Sequence, residues 1–261
     1  MTSSRPSMAE LIAVTQPESV LGRANAEHWA GRLYMRRASP YITRELLRTS
    51  ISADAITWLM IVSGVLGAVA LASFGLIGAV LCVVLVQGQL LFDCADGEVA
   101  RWRHHSSPVG VYLDRIGHYA TESALPVALG IRADGGWESI GGWTTVGLLC
   151  AVLHLLNKAE TDLVHVARAY AGLPLVQDAT GTSRPRSGAL ALVRRTVRFF
   201  PFFRAFVAVE FSFLALVAGL VDAWLGNLHG SRLLLVLLVP LATVIVVGHL
   251  LGVLSSSRLR T

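Results

Sequence analysis

Six stretches of the chain, residues 53–73, 76–94, 109–133, 141–166, 199–224 and 233–254, are predominantly apolar. Each is close to the ~20 residues that a helix needs to cross a bilayer. The links between them alternate in charge. Phe74-Gly75 carries none, the link from Arg101 to Pro108 is basic, and that from Ala133 to Gly142 is acidic. The fourth link is long and basic, with Arg168, Arg184, Arg186, Arg194, Arg195 and Arg198; the fifth is short, with Arg232 at its end, and the tail carries Arg258 and Arg260. Basic loops favour the cytoplasmic side. The pattern predicts an all-α integral membrane protein of six transmembrane helices, in the cell (plasma) membrane, with both termini cytoplasmic.

Upstream of the first apolar stretch the pattern changes twice. Residues 1–23 are polar and mixed, and are expected to lack order. No basic start precedes an apolar core and cleavage site, so no signal peptide is expected. In residues 24–50, Arg32, Arg36, Arg37, Arg44 and Arg48 alternate with Trp29, Leu33, Tyr34, Met35, Tyr41, Ile42, Leu46 and Leu47. That predicts an N-terminal amphipathic helix lying on the inner membrane surface. Residues 51–255 then form one membrane domain and 256–261 a cytoplasmic tail. The stretch 171–188, rich in Gly, Pro, Ser and Thr, is expected to be a flexible link.

Composition agrees with this picture. The chain is 54% hydrophobic with a formal net charge of +5, and its mean hydropathy is +0.59. Lys158 is the only lysine. A basic balance on an apolar chain points to anionic lipid headgroups, and not to nucleic acid. Cys82, Cys94 and Cys150 fall in apolar runs without metal-like or disulfide-like spacing, which predicts inert buried thiols.

The chemistry concentrates between Asp93 and Glu122. Asp93, Asp96, Gly97, Ala100 and Arg101 share one helical face, and Gly110, Asp114, His118 and Glu122 follow at steps of four on the next. A hairpin of these helices brings the two faces together. Ionised carboxylates at membrane depth cost several kcal/mol unless paired, wetted or bound to a cation. Oxygen ligands at this density suit a hard divalent ion such as Mg²⁺ or Mn²⁺. Gly97 and Gly110 remove side chains where a ligand or a backbone comes close.

These residues resemble the signature of the CDP-alcohol phosphotransferases, integral membrane enzymes of phospholipid synthesis. That signature reads D-x2-D-G-x2-A-R-x8-G-x3-D-x3-D. The chain matches it at Asp93, Asp96, Gly97, Ala100, Arg101, Gly110 and Asp114, with every gap the right length, and places His118 where the family has its final Asp. The resemblance implies transfer of a substituted phosphoryl group, phosphatidyl above all, from a CDP-linked lipid to a polar alcohol, with release of CMP. It implies one or two divalent ions held by Asp93, Asp96 and Asp114. It implies a nucleotide site including Gly97, Ala100, Arg101 and Gly110, and a homodimer. The family's final Asp is taken as general base; a neutral imidazole at His118 can also accept a proton, but it is a poorer Mg²⁺ ligand than a carboxylate. The gap is filled by Glu122, by a preference for Mn²⁺, or not at all.

Further candidates lie outside the signature. Asp54 and Thr57 open the first apolar stretch, where the family often has T-P-N-x-x-T, and read either as nucleotide contacts or as helix-start chemistry. His154, Asn157, Lys158, Thr161, Asp162 and His165 form a polar stripe in the fourth stretch. A wet cavity wall is the expected role, with Lys158 either facing the acceptor or pairing with Asp162. Arg204 and Glu210 are acceptor-site candidates on the fifth stretch, and His249 reads as hydrogen-bonded packing. The basic groups lean towards a phosphorylated acceptor. Two other functions compete: a catalytically impaired relative that binds CDP-lipid as a regulatory or scaffold subunit, and a cation-coupled transporter. The motif's Gly and Arg positions, and the absence of a repeated half, speak against the transporter.

Overall fold

A computed structural model describes residues 6–18, 29–73, 75–174, 202–256 and Leu259. Most of the basic link, with Arg184, Arg186, Arg194, Arg195 and Arg198, lies outside the described residues, as do Arg258 and Arg260 of the tail. Among the described residues there are eight α-helices and no strand. They are α1 (Met8–Thr15), α2 (Arg36–Leu46), α3 (Ala53–Ser73), α4 (Gly75–Trp102), α5 (Pro108–Asp134), α6 (Gly142–Tyr170), α7 (Ala208–Leu225) and α8 (His229–Ser255). A π-helical turn, Gly31–Met35, leads into α2.

The helix ends follow local chemistry. Ser52 caps α3, its hydroxyl accepting from the Ala55 amide at 3.1 Å. Ser107 caps α5, accepting from the Gly110 amide at 2.9 Å, and Pro108 takes the first helical position, where its missing N–H is harmless. Asp134 ends α5 and caps α6. Its carboxylate accepts from the amides of Gly141, Trp143 and Thr144 and from the Thr144 hydroxyl, at 2.7–3.1 Å. Desolvation opposes ionisation there, but those hydrogen bonds outweigh it and hold the Asp134 carboxyl below the usual carboxylate range.

Each predicted apolar stretch is a long helix, with two differences. Four helices, α3, α4, α7 and α8, are long and apolar enough to cross a membrane. The other two, α5 and α6, are long enough but carry several charges each: Asp114, Arg115, Glu122 and Arg132 on one, Lys158, Glu160, Asp162 and Arg168 on the other. The fifth stretch begins later than expected. Phe202–Phe206 is a 3₁₀ segment and α7 starts only at Ala208, so Arg204 precedes the helix.

The N-terminus differs more. Residues 8–15, expected to lack order, form α1. Ser7 caps it, accepting from the Glu10 amide at 3.1 Å, and Leu11 and Thr15 are fully buried. An eight-residue helix is marginal alone, so its contacts with the rest of the chain must hold it.

The chain divides into two compact units. The first comprises residues 1–67 and 82–121. At its centre Ile56, Ala95 and Val99 pack with Leu46, Leu47, Ile51 and Phe92, joining α2, α3 and α4. The second comprises residues 68–81 and 122–261. A buried ion pair organises it: Arg132 Nε lies 3.4 Å from Asp222 Oδ2, with the two side chains 5% and 4% exposed. Ser231 on α8 completes the pair, donating to Asp222 at 2.6 Å and accepting from Arg132 at 3.0 Å. The three cysteines are free and buried, as expected.

Candidate active site

Every signature residue lies in the first unit. Asp93, Asp96, Gly97, Ala100 and Arg101 occupy the last turns of α4; Gly110, Asp114 and His118 occupy the first turns of α5. The link between the helices is tied down by Arg103, which donates to the carbonyls of Ile51 and Thr49. The Ala100 carbonyl accepts from the His105 amide at 2.9 Å, tightening the end of α4.

The hairpin gathers Asp93, Asp114 and His118. One ligand atom from each lies within 4.8 Å of the others. His118 Nε2 stands 3.3 Å from Asp93 Oδ1 and 3.4 Å from Asp114 Oδ1. All three side chains are partly exposed, at 33%, 27% and 44% for His118, Asp93 and Asp114. Asp96 stands outside this group of three, though both Asp93 and Asp114 repel its carboxylate. Three acids this close call for a compensating positive charge. Two carboxylates and an imidazole are a donor set that a divalent cation accepts.

Thr57 takes part as a support. It is 2% exposed, and its hydroxyl donates to Asp96 Oδ2 at 2.6 Å while approaching the Ala53 carbonyl at 3.2 Å. It therefore fixes one oxygen of Asp96. Both signature glycines are close approaches. A Cβ on Gly110 would stand 3.1 Å from Asp54 Oδ1, and one on Gly97 would stand 3.0 Å from Arg101 Nη1. Asp54 thus borders the site at the start of α5, and the Arg101 guanidinium lies across α4 beside Asp96.

The other candidates belong to the second unit. Glu122, considered above as a stand-in metal ligand, is engaged otherwise. Its Oε2 accepts from Lys158 Nζ at 2.5 Å and lies 3.0 Å from His154 Nε2. His154 stacks on Phe206, with ring centroids 5.4 Å apart. His249 Nδ1 lies 3.0 Å from Asn157 Oδ1 and 3.3 Å from Glu160 Oε2, the packing role expected for it. Asp162 stands on α6 and Glu210 in the first turn of α7.

Glu98 was not foreseen. It occupies a variable position of the signature, yet it is wholly buried. It accepts from Gln16 Nε2 at 2.9 Å, Ser39 Oγ at 2.6 Å and Thr43 Oγ1 at 2.6 Å. An extra carboxylate in a largely apolar helix, at a position the signature leaves open, is the one signal that could have marked it.

Comparison with known proteins supplies the family. The sequence profile of CDP-alcohol phosphatidyltransferase matches residues 50–247, which contain the whole hairpin. The chain belongs to the CDP-alcohol phosphatidyltransferase family. Its signature stands intact except at His118. No curated protein matches the chain in sequence. Among solved structures the chain is similar to the Mycobacterium tuberculosis phosphatidylinositol phosphate synthase in apo form. The two are 19% identical, with 85% of this chain and 98% of that chain covered and a TM-score of 0.47. Family membership and the four apolar helices place the chain among the membrane proteins of the class that transfers substituted phosphate groups in phospholipid synthesis.

Proposed function

We propose that the protein transfers a phosphatidyl group from a CDP-linked diacylglycerol to a polar alcohol, releasing CMP. The observation that carries this is the convergence of Asp93, Asp114 and His118 within 4.8 Å in a chain of this family. Asp93, Asp114 and Asp96 would hold Mg²⁺ or Mn²⁺, with the His118 imidazole beside them kept free as a base. When bound, that ion offsets diphosphate charge and stabilises the departing CMP. Arg101 holds a diphosphate oxygen through its Nη groups. Gly97, Ala100 and Gly110 leave room for the nucleotide, and Asp54 and Thr57 shape its border. His118 accepts the proton of the attacking hydroxyl.

The finer topology belongs to the same proposal. All six long helices cross the membrane, the termini and the hairpin face the cytoplasm, and α2 lies on the inner surface. Arg32, Arg37, Arg44 and Arg48 beside its apolar residues support that placement. Acceptor recognition falls to Lys158, Asp162, Arg204 and Glu210, with a phosphorylated alcohol favoured by the excess of arginine, and the enzyme works as a homodimer.

The test is CMP release by purified protein given CDP-diacylglycerol, divalent metal and a panel of phosphorylated and unphosphorylated alcohols. Release with at least one acceptor, lost in Asp93→Asn and Asp114→Asn, supports the assignment. CDP-lipid binding without release for any acceptor would move the protein to a binding role. Full activity in either Asp variant would refute the cation site.

A further inference from the structure

Arg101 has a neighbour that the family signature does not provide. Its Nε donates to the Thr15 carbonyl at 2.6 Å. Thr15 is the last residue of α1. The final carbonyls of a helix lack partners within it and carry the negative end of its dipole. A guanidinium is therefore a favoured cap. Because the carbonyl is neutral, this contact fixes the direction of Arg101 without cancelling its charge. Nη1 and Nη2 then lie over Gly97, 3.0 and 3.2 Å from where a Cβ would stand.

α1 is itself held in register. Gln16, 9% exposed, donates from one amide nitrogen to Glu98 Oε1 at 2.9 Å and to the Arg36 carbonyl at 2.8 Å. Glu98 and Arg101 are three residues apart on α4, so the end of α1 grips one face of that helix twice. Ser39, Thr43 and the Arg36 guanidinium, 3.9 Å away, surround the same carboxylate. A buried carboxylate loses stability when any of its donors is withdrawn, which sets the position of Gln16 sharply.

We propose that α1 is a positioning element of the nucleotide site. Gln16 anchors the helix end, and the Thr15 carbonyl turns Arg101 so that its Nη edge meets an oxygen of a nucleoside diphosphate. This rests on the reading of Arg101 as the diphosphate ligand.

The experiment uses the full chain in lipid nanodiscs and CDP with Mg²⁺ as probe, with affinity measured by calorimetry. Gln16→Leu removes both anchoring hydrogen bonds at similar volume. CDP affinity should fall about tenfold, roughly the worth of one charge-assisted hydrogen bond, while the acceptor KM stays unchanged. In an Arg101→Ala background the same substitution should have no further effect. Ser39→Ala removes a Glu98 partner without touching α1 and should leave CDP affinity as it was. Hydrogen exchange read without ligand gives a second measure: Arg101→Ala should accelerate exchange across residues 8–16. A wild-type protein that binds CDP but is indifferent to Gln16→Leu overturns the positioning role alone. So do equal losses in both backgrounds, or an equal loss in Ser39→Ala. A wild-type protein that does not bind CDP overturns the nucleotide reading, and the positioning role with it.

Discussion

Replacing His118 by Asp restores the family's final carboxylate and tests what the imidazole does. His118 Nε2 lies 3.3 Å from Asp93 and 3.4 Å from Asp114. A third negative charge at 3.3 Å from each would cost about 1.3 kcal/mol per pair in water and about 5 kcal/mol at an effective dielectric near 20. The three side chains are a quarter to nearly a half exposed, so a value nearer the first figure applies. We take about 2–3 kcal/mol in total for the metal-free protein. A bound divalent ion removes that repulsion and gains a hard oxygen ligand. Mg²⁺ affinity should therefore rise roughly 10- to 100-fold, the equivalent of about 1.4–2.8 kcal/mol. The assay is thermal unfolding in nanodiscs over a Mg²⁺ titration. His118→Asp should unfold at lower temperature than wild type in EDTA and gain more from Mg²⁺. An unchanged or weaker Mg²⁺ dependence would show that position 118 does not face the cation, and the cluster as built here would be wrong.

Three further outcomes are expected. Thr57→Val deletes the hydroxyl on Asp96; CMP release should fall about tenfold or more, with far less effect on unfolding temperature, since one charge-assisted hydrogen bond orients that carboxylate. Asp222→Ala leaves Arg132 buried without its partner and should lower stability by about 3–5 kcal/mol in denaturant unfolding, with Ser231→Ala milder. Asp134 has a depressed carboxyl pKa in the folded state, so its contribution is present above the unfolded value near ~3.9 and is lost as pH falls through the lower folded value. Unfolding temperature should therefore decline below about pH 4 in wild type, and Asp134→Asn should flatten that decline.

The hairpin was legible because its residues are close in sequence and helical spacing alone brings them onto facing surfaces. Asp93, Asp114 and His118 needed only the periodicity of α4 and α5. Thr57 was half-legible: its place at a helix start was readable, its partner Asp96 was not. Glu98 was hidden because its partners Gln16 and Ser39 lie 82 and 59 residues away. For the same reason α1 looked like a polar tail; its order comes from tertiary contacts that no local pattern encodes. For Glu122, α5 periodicity shows only the line it shares with Asp114 and His118; its partners Lys158 and His154 come from a distant stretch and no local spacing shows them. Hydropathy starts α7 too early, because the sequence from Phe199 to Phe203 is as apolar as a helix core, whereas 202–206 is a 3₁₀ segment and the helix begins at Ala208.

The two long helices that fall short of the apolar standard, α5 and α6, have a consequence for biosynthesis. Each charged side chain near a helix centre adds about 2.5–3.5 kcal/mol to entry into lipid. On the proposed six-helix topology, neither helix is suited to leave the translocon alone. On that topology their integration would wait for neighbouring helices that match their charges, so the ribosome would have to deliver more of the chain before the α4–α5 hairpin is secured. Mutations that remove a charge partner would then reduce the yield of inserted protein before they alter turnover.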